Sequence, residues 1–294
     1  MNGLRGIFDR YEAIRTRLPV APVQPRPQSI ANLGEIADQV DAFVFDAFGV
    51  LNVGETPIPG AASRVADLRA RGCQIRVLTN AASYDRAGAV AKFEKLGIVL
   101  EPAEIITSRD AALGAVDARH WGVIAAPEDT LGDFDMPVIR LGDDRVDYDR
   151  AEGFLFLSSA DWSDARQGLL ERSLLDHPRR VIIANADLVA PRDHGFSTEP
   201  GFYGHRIADL TVAEVVFFGK PFAAVHAMAG RSLGGVDPRR IAMVGDTLHT
   251  DILGGAAAGW RTVLVTQDGL FAGHDVAPFM AQSNLFPDWQ VARI

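Results

Sequence analysis

The chain is poor in cysteine, in long apolar runs and in positive charge. A single cysteine, Cys73, stands among 294 residues. That excludes a disulfide framework within the chain and suits a reducing, cytoplasmic setting. No apolar run approaches the roughly 20 residues that a membrane span needs, so no membrane association is expected. Basic residues number 29 against 38 acidic ones, a net charge of −9. This balance argues against a nucleic-acid or anionic-membrane binder, either of which needs a basic face. It leaves room for a small anionic substrate in a locally positive pocket. What is present is ordinary: 48% hydrophobic and 23% charged residues, enough for one large domain or two moderate ones.

The N-terminal stretch has no leader-like apolar segment. Ile7, Tyr11, Ile14 and Leu18 recur at helical spacing and predict an amphipathic helix, and Pro19 to Pro27 predicts an extended linker. From about residue 40, short apolar runs alternate with helical periods. Ala42-Phe43-Val44-Phe45 is followed by a helix marked by Val65 and Leu68. Ile75-Arg76-Val77-Leu78 is followed by one marked by Val90, Phe93 and Leu96. The same grammar returns at Val215–Phe218, Ile241–Val244 and Arg261–Val265. Strands alternating with helices predict a parallel sheet with covering helices. The middle carries runs of its own near residues 122, 138, 154 and 181, enough for a second small α/β module.

Four of these runs end in polar residues: Asp46, Thr79-Asn80, Lys220 and Asp246. In an open parallel sheet, ligands bind outside the carboxyl ends of the strands, so neighbouring strands would bring these residues to one crevice. Two carboxylates, a hydroxyl, an amide and an ammonium there suit a phosphate and a divalent cation. A carboxylate can attack phosphorus and form an acyl-phosphate. Mg²⁺ prefers oxygen ligands and is held by one or two carboxylates. A lysine would neutralise the transferring oxygens.

Asp46-Ala47-Phe48-Gly49-Val50-Leu51, Val77-Leu78-Thr79-Asn80, Gly219-Lys220-Pro221 and Gly245-Asp246-Thr247-Leu248-His249-Thr250-Asp251 together resemble the four ordered motifs of the haloacid dehalogenase (HAD) superfamily. Pro59-Gly60-Ala61 and Thr250–Gly255 are similar to its sugar-phosphate, nitrophenyl-phosphate and pyridoxal-phosphate phosphatase branch, in which an α/β cap is inserted between the second and third motifs. The 33 positions from Asp46 to Thr79 leave no room for a cap, whereas the 141 from Thr79 to Lys220 do. The resemblance implies a Rossmann-like three-layer α/β core at residues 29–108 and 214–294. It implies a cap at 109–213, after an N-terminal helix and linker at 1–28. It further implies a Mg²⁺-dependent phosphatase acting on a small phosphorylated metabolite, with pairing of two copies through the cap.

Carried over by position, Asp46 matches the nucleophile and a metal ligand. Phe48 stands where a backbone carbonyl meets the metal, Asp246 matches the second metal carboxylate, and Asp251 supports the metal site. Thr79, Asn80 and Ala81 match the phosphate-holding loop, and Lys220 the charge-stabilising lysine. Asn185, Asp187 and Pro191 resemble a substrate-facing cap loop, and Trp162 follows another cap strand where it would stack on a substrate ring. One departure stands out. The family's phosphatases carry a second aspartate two residues after the nucleophile as general acid and base, a contribution of roughly 10²–10⁴-fold in rate; here that residue is Phe48. Three readings follow: a metal-dependent phosphatase of sugar or aryl phosphates that acts slowly, on substrates with acidic leaving groups, or with its acid supplied by the cap, the substrate or a histidine such as His194, His205 or His249; a metal-independent hydrolase forming an ester on Asp46; or a silent binder of phosphorylated ligands.

Overall fold

The computed structural model describes residues 3–294. Its central sheet has seven parallel strands in the spatial order Gln28–Ser29, Trp289–Val291, Arg261–Val265, Ile241–Gly245, Ala42–Phe45, Gln74–Thr79, Ile105–Thr107. Helices cover both faces, so every residue of Ala42–Phe45 is buried and the strand reads as a continuous apolar run. From that strand the chain works outward through Gln74–Thr79 to Ile105–Thr107. After the insertion it restarts on the other side at Ile241–Gly245. The order therefore reverses between Ala42–Phe45 and Ile241–Gly245, the point at which α/β sheets open a ligand crevice. Phe45 lies opposite Val244 in the register, and the Asp46 N–H donates to the Val244 carbonyl at 2.8 Å. Asp46 and Asp246 thus emerge side by side.

The insertion carries a second parallel sheet, ordered Val215–Phe217, Val181–Ile183, Gly153–Phe156, Trp121–Ile124, Ile139–Arg140. Here the structure corrects the expected boundary at residue 214. Val215–Phe217 does not join the central sheet; it pairs in register with Val181–Ile183 as a half-buried edge strand of the cap. The chain recrosses only afterwards, so Lys220 reaches the crevice from a crossing segment and not from the end of a core strand.

An antiparallel hairpin, Val189–Arg192 with Gly195–Thr198, hangs from the cap over the core. It meets a small core hairpin formed by Asn52–Val53 and Thr56–Pro57. The Gly54 N–H donates to the Pro191 carbonyl at 3.3 Å, and Thr56 Oγ1 donates to Asp193 at 2.9 Å. The predicted N-terminal helix is Gly3–Ala13, and Leu4, Ile7, Phe8 and Tyr11 are buried. They pack with Leu248, Ile252, Leu253 and Phe271 of the core and with Leu188 of the cap. Among the described residues no helix is long and apolar enough to cross a membrane.

Candidate active site

At the switch point Lys220 is the hub. Its side chain is 1% exposed, and its ammonium lies 2.5 Å from Asp46 Oδ1 and 2.8 Å from Asp251 Oδ1. Burial works against that charge, but Asp251, Asp46 and Asp187 outweigh it and hold the ammonium firmly protonated. Asp46 is pushed up from the usual carboxylate range by burial, and Lys220 partly reverses this. Asp246 is pushed up too, by burial and then by Asp251 and Asp46.

Asp246 sits in a cradle built around it. Its carboxylate accepts from Thr247 Oγ1 at 2.8 Å and from the Leu270 N–H at 2.7 Å. Gly49 and Gly269 press against it so closely that a Cβ on either would fall 2.4 or 2.1 Å from Oδ2, so neither position tolerates a side chain. Asp251 is presented by a wide π-type turn over Leu248–Ile252, in which the Thr247 carbonyl accepts N–H groups from Asp251 at 3.1 Å and Ile252 at 3.3 Å. Such turns re-aim a side chain that a regular helix would point elsewhere. Oxygens of Asp46, Asp246 and Asp251 lie within 4.8 Å of one another. Three carboxylates facing one ammonium leave an excess of negative charge, and the donor set is all oxygen. It fits a hard divalent cation.

The second motif supplies the opposite wall. Thr79 Oγ1 accepts the Ala81 N–H at 3.1 Å, which curls the loop. Asn80 is a latch: its amide donates to Asp187 of the cap at 2.8 Å and to the Lys220 carbonyl at 3.0 Å, and accepts the Lys220 N–H at 2.6 Å. Its side chain is therefore consumed in joining core, cap and crossing. The cap is closed. Asp46, Phe48, Thr79, Asn80, Asp187 and Asp246 line a chamber of about 20 Å³, room for about one water. A passage of about 40 Å³, lined by Phe48, Asn185, Asp187 and Arg192 among others, leads toward an outer crevice of about 650 Å³ with which it shares Ser83, Tyr84, Arg192 and Glu199.

Of the cap residues singled out in the sequence, Pro191 lines the chamber, Asn185 the passage and Asp187 both. Trp162 goes elsewhere: it packs on Phe156 inside the cap core and donates to Gln167 at 2.8 Å, because its ring completes the packing under helix Asp164–Asp176. The histidines are likewise elsewhere. His249 stacks on Tyr11 at 4.9 Å and meets Glu12 at 2.5 Å, His205 stacks on Phe217 at 4.2 Å, and His194 is exposed on the hairpin. Sequence reasoning missed Lys92 and Arg192, both of which lie against the Phe48 ring. Lys92 was marked by its place in the apolar stripe of helix Arg86–Lys95, between the buried Ala89 and Phe93.

Residues 43–128 match the haloacid dehalogenase-like hydrolase family and residues 217–288 match the HAD-hydrolase-like family. Glycerol-3-phosphate phosphatase of Homo sapiens is 27% identical over 297 residues, covering 87% of this chain and 89% of the relative. Phosphoglycolate phosphatase 1A of Arabidopsis thaliana is 26% identical, covering 85% and 75%. A possible sugar phosphatase of Cytophaga hutchinsonii shares the fold with a TM-score of 0.76 at 21% identity, covering 91% of this chain and 98% of that one. The two matched segments flank the cap. They carry Asp46 and Thr79 on one side and Lys220, Asp246 and Asp251 on the other, so the chain belongs to the haloacid dehalogenase superfamily of hydrolases.

Proposed function

We propose that the protein hydrolyses small phosphate monoesters through an aspartyl-phosphate on Asp46, with Mg²⁺ as cofactor. The observation that carries this is the buried ammonium of Lys220 bridging Asp46 and Asp251 in a closed chamber at the switch point. The relatives named for phosphate monoesters of small alcohols support it.

Asp46 and Asp246, with the Phe48 carbonyl, would hold the cation, and Asp251 would hold Lys220 and the surrounding network. The cation would supply charge neutralisation at the phosphoryl group. Thr79, Asn80 and Ala81 offer the loop, with Lys220, for the phosphoryl oxygens. An Asp46 oxygen attacks phosphorus and the bond to the leaving oxygen breaks; water then attacks the acyl-phosphate, releasing phosphate and restoring the carboxylate.

Phe48 transfers no proton, and Asp187 takes that task in this reading. Burial holds its carboxyl well above the usual range, with Lys220 pulling the other way, which favours the protonated, proton-donating form. It gives that proton to the departing alkoxide and recovers one from the attacking water. The 20 Å³ chamber requires the cap to open for substrate and to close for chemistry, which excludes bulk water from the intermediate.

Turnover of p-nitrophenyl phosphate with and without Mg²⁺ tests the scheme. Activity is expected to vanish on chelation, to return with Mg²⁺, and to fall to background in Asp46→Asn. Activity that survives chelation would favour the metal-independent ester route. Binding of phosphate esters with no turnover across a broad panel would favour a silent binder.

A further inference from the structure

Thr79, Asn80 and Ala82 are buried outside any regular element, so the loop's carbonyls need donors from elsewhere. Two come from the end of the neighbouring strand. Thr79 lies opposite Thr107 in the register, which brings Ser108 and Arg109 beside the loop. Ser108 Oγ donates to the Asn80 carbonyl at 2.8 Å, and Arg109 Nη1 donates to the Ala82 carbonyl at 3.0 Å. In a trans peptide the N–H points away from the carbonyl. Turning the Asn80 carbonyl to Ser108 therefore turns the Ala81 N–H the other way, where Thr79 Oγ1 accepts it. Turning the Ala82 carbonyl to Arg109 likewise turns the Ser83 N–H away from Arg109. Ala81 and Ser83 line the passage, whereas Ala82 is buried in a cluster with Trp121, Val123 and Leu155 of the cap sheet.

Arg109 holds more than the loop. Its side chain is 1% exposed. Nη1 also meets Asp129 at 2.5 Å, Nη2 meets Asp129 at 3.2 Å and Asp133 at 2.6 Å, and Nε meets Asp133 at 2.7 Å. With the bond to Ala82, every N–H of the guanidinium is engaged. Both acids belong to the cap loop between Trp121–Ile124 and Ile139–Arg140, and Asp129 lines the outer crevice. Asp129 is itself fixed, since its Oδ1 accepts the Leu131 N–H at 2.9 Å. A buried ion cluster adds little net stability, because desolvation offsets the attraction. What a rigid planar fork adds is orientation. This fork fixes one carbonyl of the phosphate loop against two carboxylates of the cap.

We infer that Arg109 is a positioning residue for phosphoryl binding: anchored by Asp129 and Asp133 of the cap, it sets the backbone of the loop 79–83 that receives the phosphoryl oxygens. It acts through the Ala82 carbonyl. The inference rests on the phosphatase reading for the task of that loop and adds a residue to it. Through Arg109 the cap shapes the part of the site that every phosphate ester shares, apart from any choice of leaving group. Loss of Arg109 therefore weakens all esters alike, unlike loss of a proton donor, which falls hardest on poor leaving groups.

The test measures binding of inorganic phosphate to the Mg²⁺-loaded protein by calorimetry, which needs no turnover, beside kcat/KM for p-nitrophenyl and ethyl phosphate. Arg109→Met is expected to weaken phosphate binding by on the order of tenfold, the scale of one hydrogen bond to a charged ligand, and to lower kcat/KM equally for both esters. Arg109→Lys keeps the charge but not the fork, and should recover part of the affinity. Asp133, 26% exposed at the rim of the cluster, keeps the test open where Arg109→Met fails to fold: Asp133→Asn loosens the fork and should weaken phosphate severalfold. Leu170→Ala, in the cap core, destabilises the cap without touching the loop and should leave phosphate affinity as in wild type. Unchanged affinity in Asp133→Asn and in the folded Arg109 variants, or an equal loss in Leu170→Ala, overturns the positioning role while leaving the phosphatase reading standing. No turnover of any ester overturns that reading, and the phosphate titration still decides on Arg109. No phosphate binding by wild type overturns both.

Discussion

At the scale of single residues, the exchange of an acid for Phe48 divides the chemistry in a way that can be read out. If Asp187 supplies the proton, its loss should matter in proportion to how badly the leaving group needs one. Asp187→Asn keeps an acceptor for the Asn80 amide, which donates to Asp187 at 2.8 Å, and so preserves the latch. Hydrolysis of ethyl phosphate is expected to slow by about 10²-fold or more, within the range for general acid–base help. Hydrolysis of p-nitrophenyl phosphate should slow far less, since its phenolate leaves unaided. Equal losses on both esters would show that Asp187 acts only as a tie between cap and core.

At the scale of elements, the helix Gly3–Ala13 does more than cover apolar surface. Tyr11 stacks on His249 inside the turn that presents Asp251, and its hydroxyl accepts the Leu188 N–H at 3.2 Å, one residue beyond Asp187. Arg10 and Arg17 pair with Asp209 on the cap helix Pro200–Leu210, each at 2.6 Å. One short helix thereby touches the fourth motif, the cap loop and a cap helix. Phe8 is 1% exposed between His249 and Phe279, and Phe8→Ala is expected to cost about 3–5 kcal/mol of stability, checked by denaturant titration. Tyr11→Phe keeps the stacking and removes only the hydroxyl, leaving a buried N–H unmet. It should cost about 1–3 kcal/mol and lower kcat through the cap loop. The sequence showed this helix through its apolar spacing but not its target, because the helix meets Leu188 at a separation of 177 residues.

At the scale of the whole molecule, two buried histidines set an acid limit. Burial pushes His205 down to about 3 and His226 to about 4. Both stay neutral in the folded protein while the unfolded chain binds protons below its ordinary value near 6.5. The unfolded state therefore gains protons first, and the stability these groups contribute is present above pH 6.5 and lost as pH falls toward 4. At pH 5 the loss amounts to about 2 kcal/mol per histidine. The buried carboxyls of Asp46, Asp187 and Asp246 are shifted upward and oppose this, favouring the folded state as pH falls. The histidine share is therefore read by difference: relative to wild type, His205→Phe, which retains stacking on Phe217, should gain melting temperature as pH is lowered from 7 to 5. An unchanged slope would mean that His205 is not buried in solution.

The sequence by itself determined the α/β class, the place of the insertion and the residues at the strand ends. Those features depend on local alternation and on motifs of a few residues, and a parallel sheet must bring such strand ends to one edge. Asp46, Thr79 and Asp246 were legible for that reason. Lys220 was legible as a residue, yet the strand before it went to the cap sheet, since pairing with Val181–Ile183 is a choice among edges that an apolar run does not encode. Only the tertiary structure decided that Asn80 latches Asp187 across 107 residues, that Trp162 fills the cap core, and that Lys92 and Arg192 converge on Phe48. Each is a side-chain meeting between distant segments, and its energy exists only once backbone packing has fixed where those segments lie.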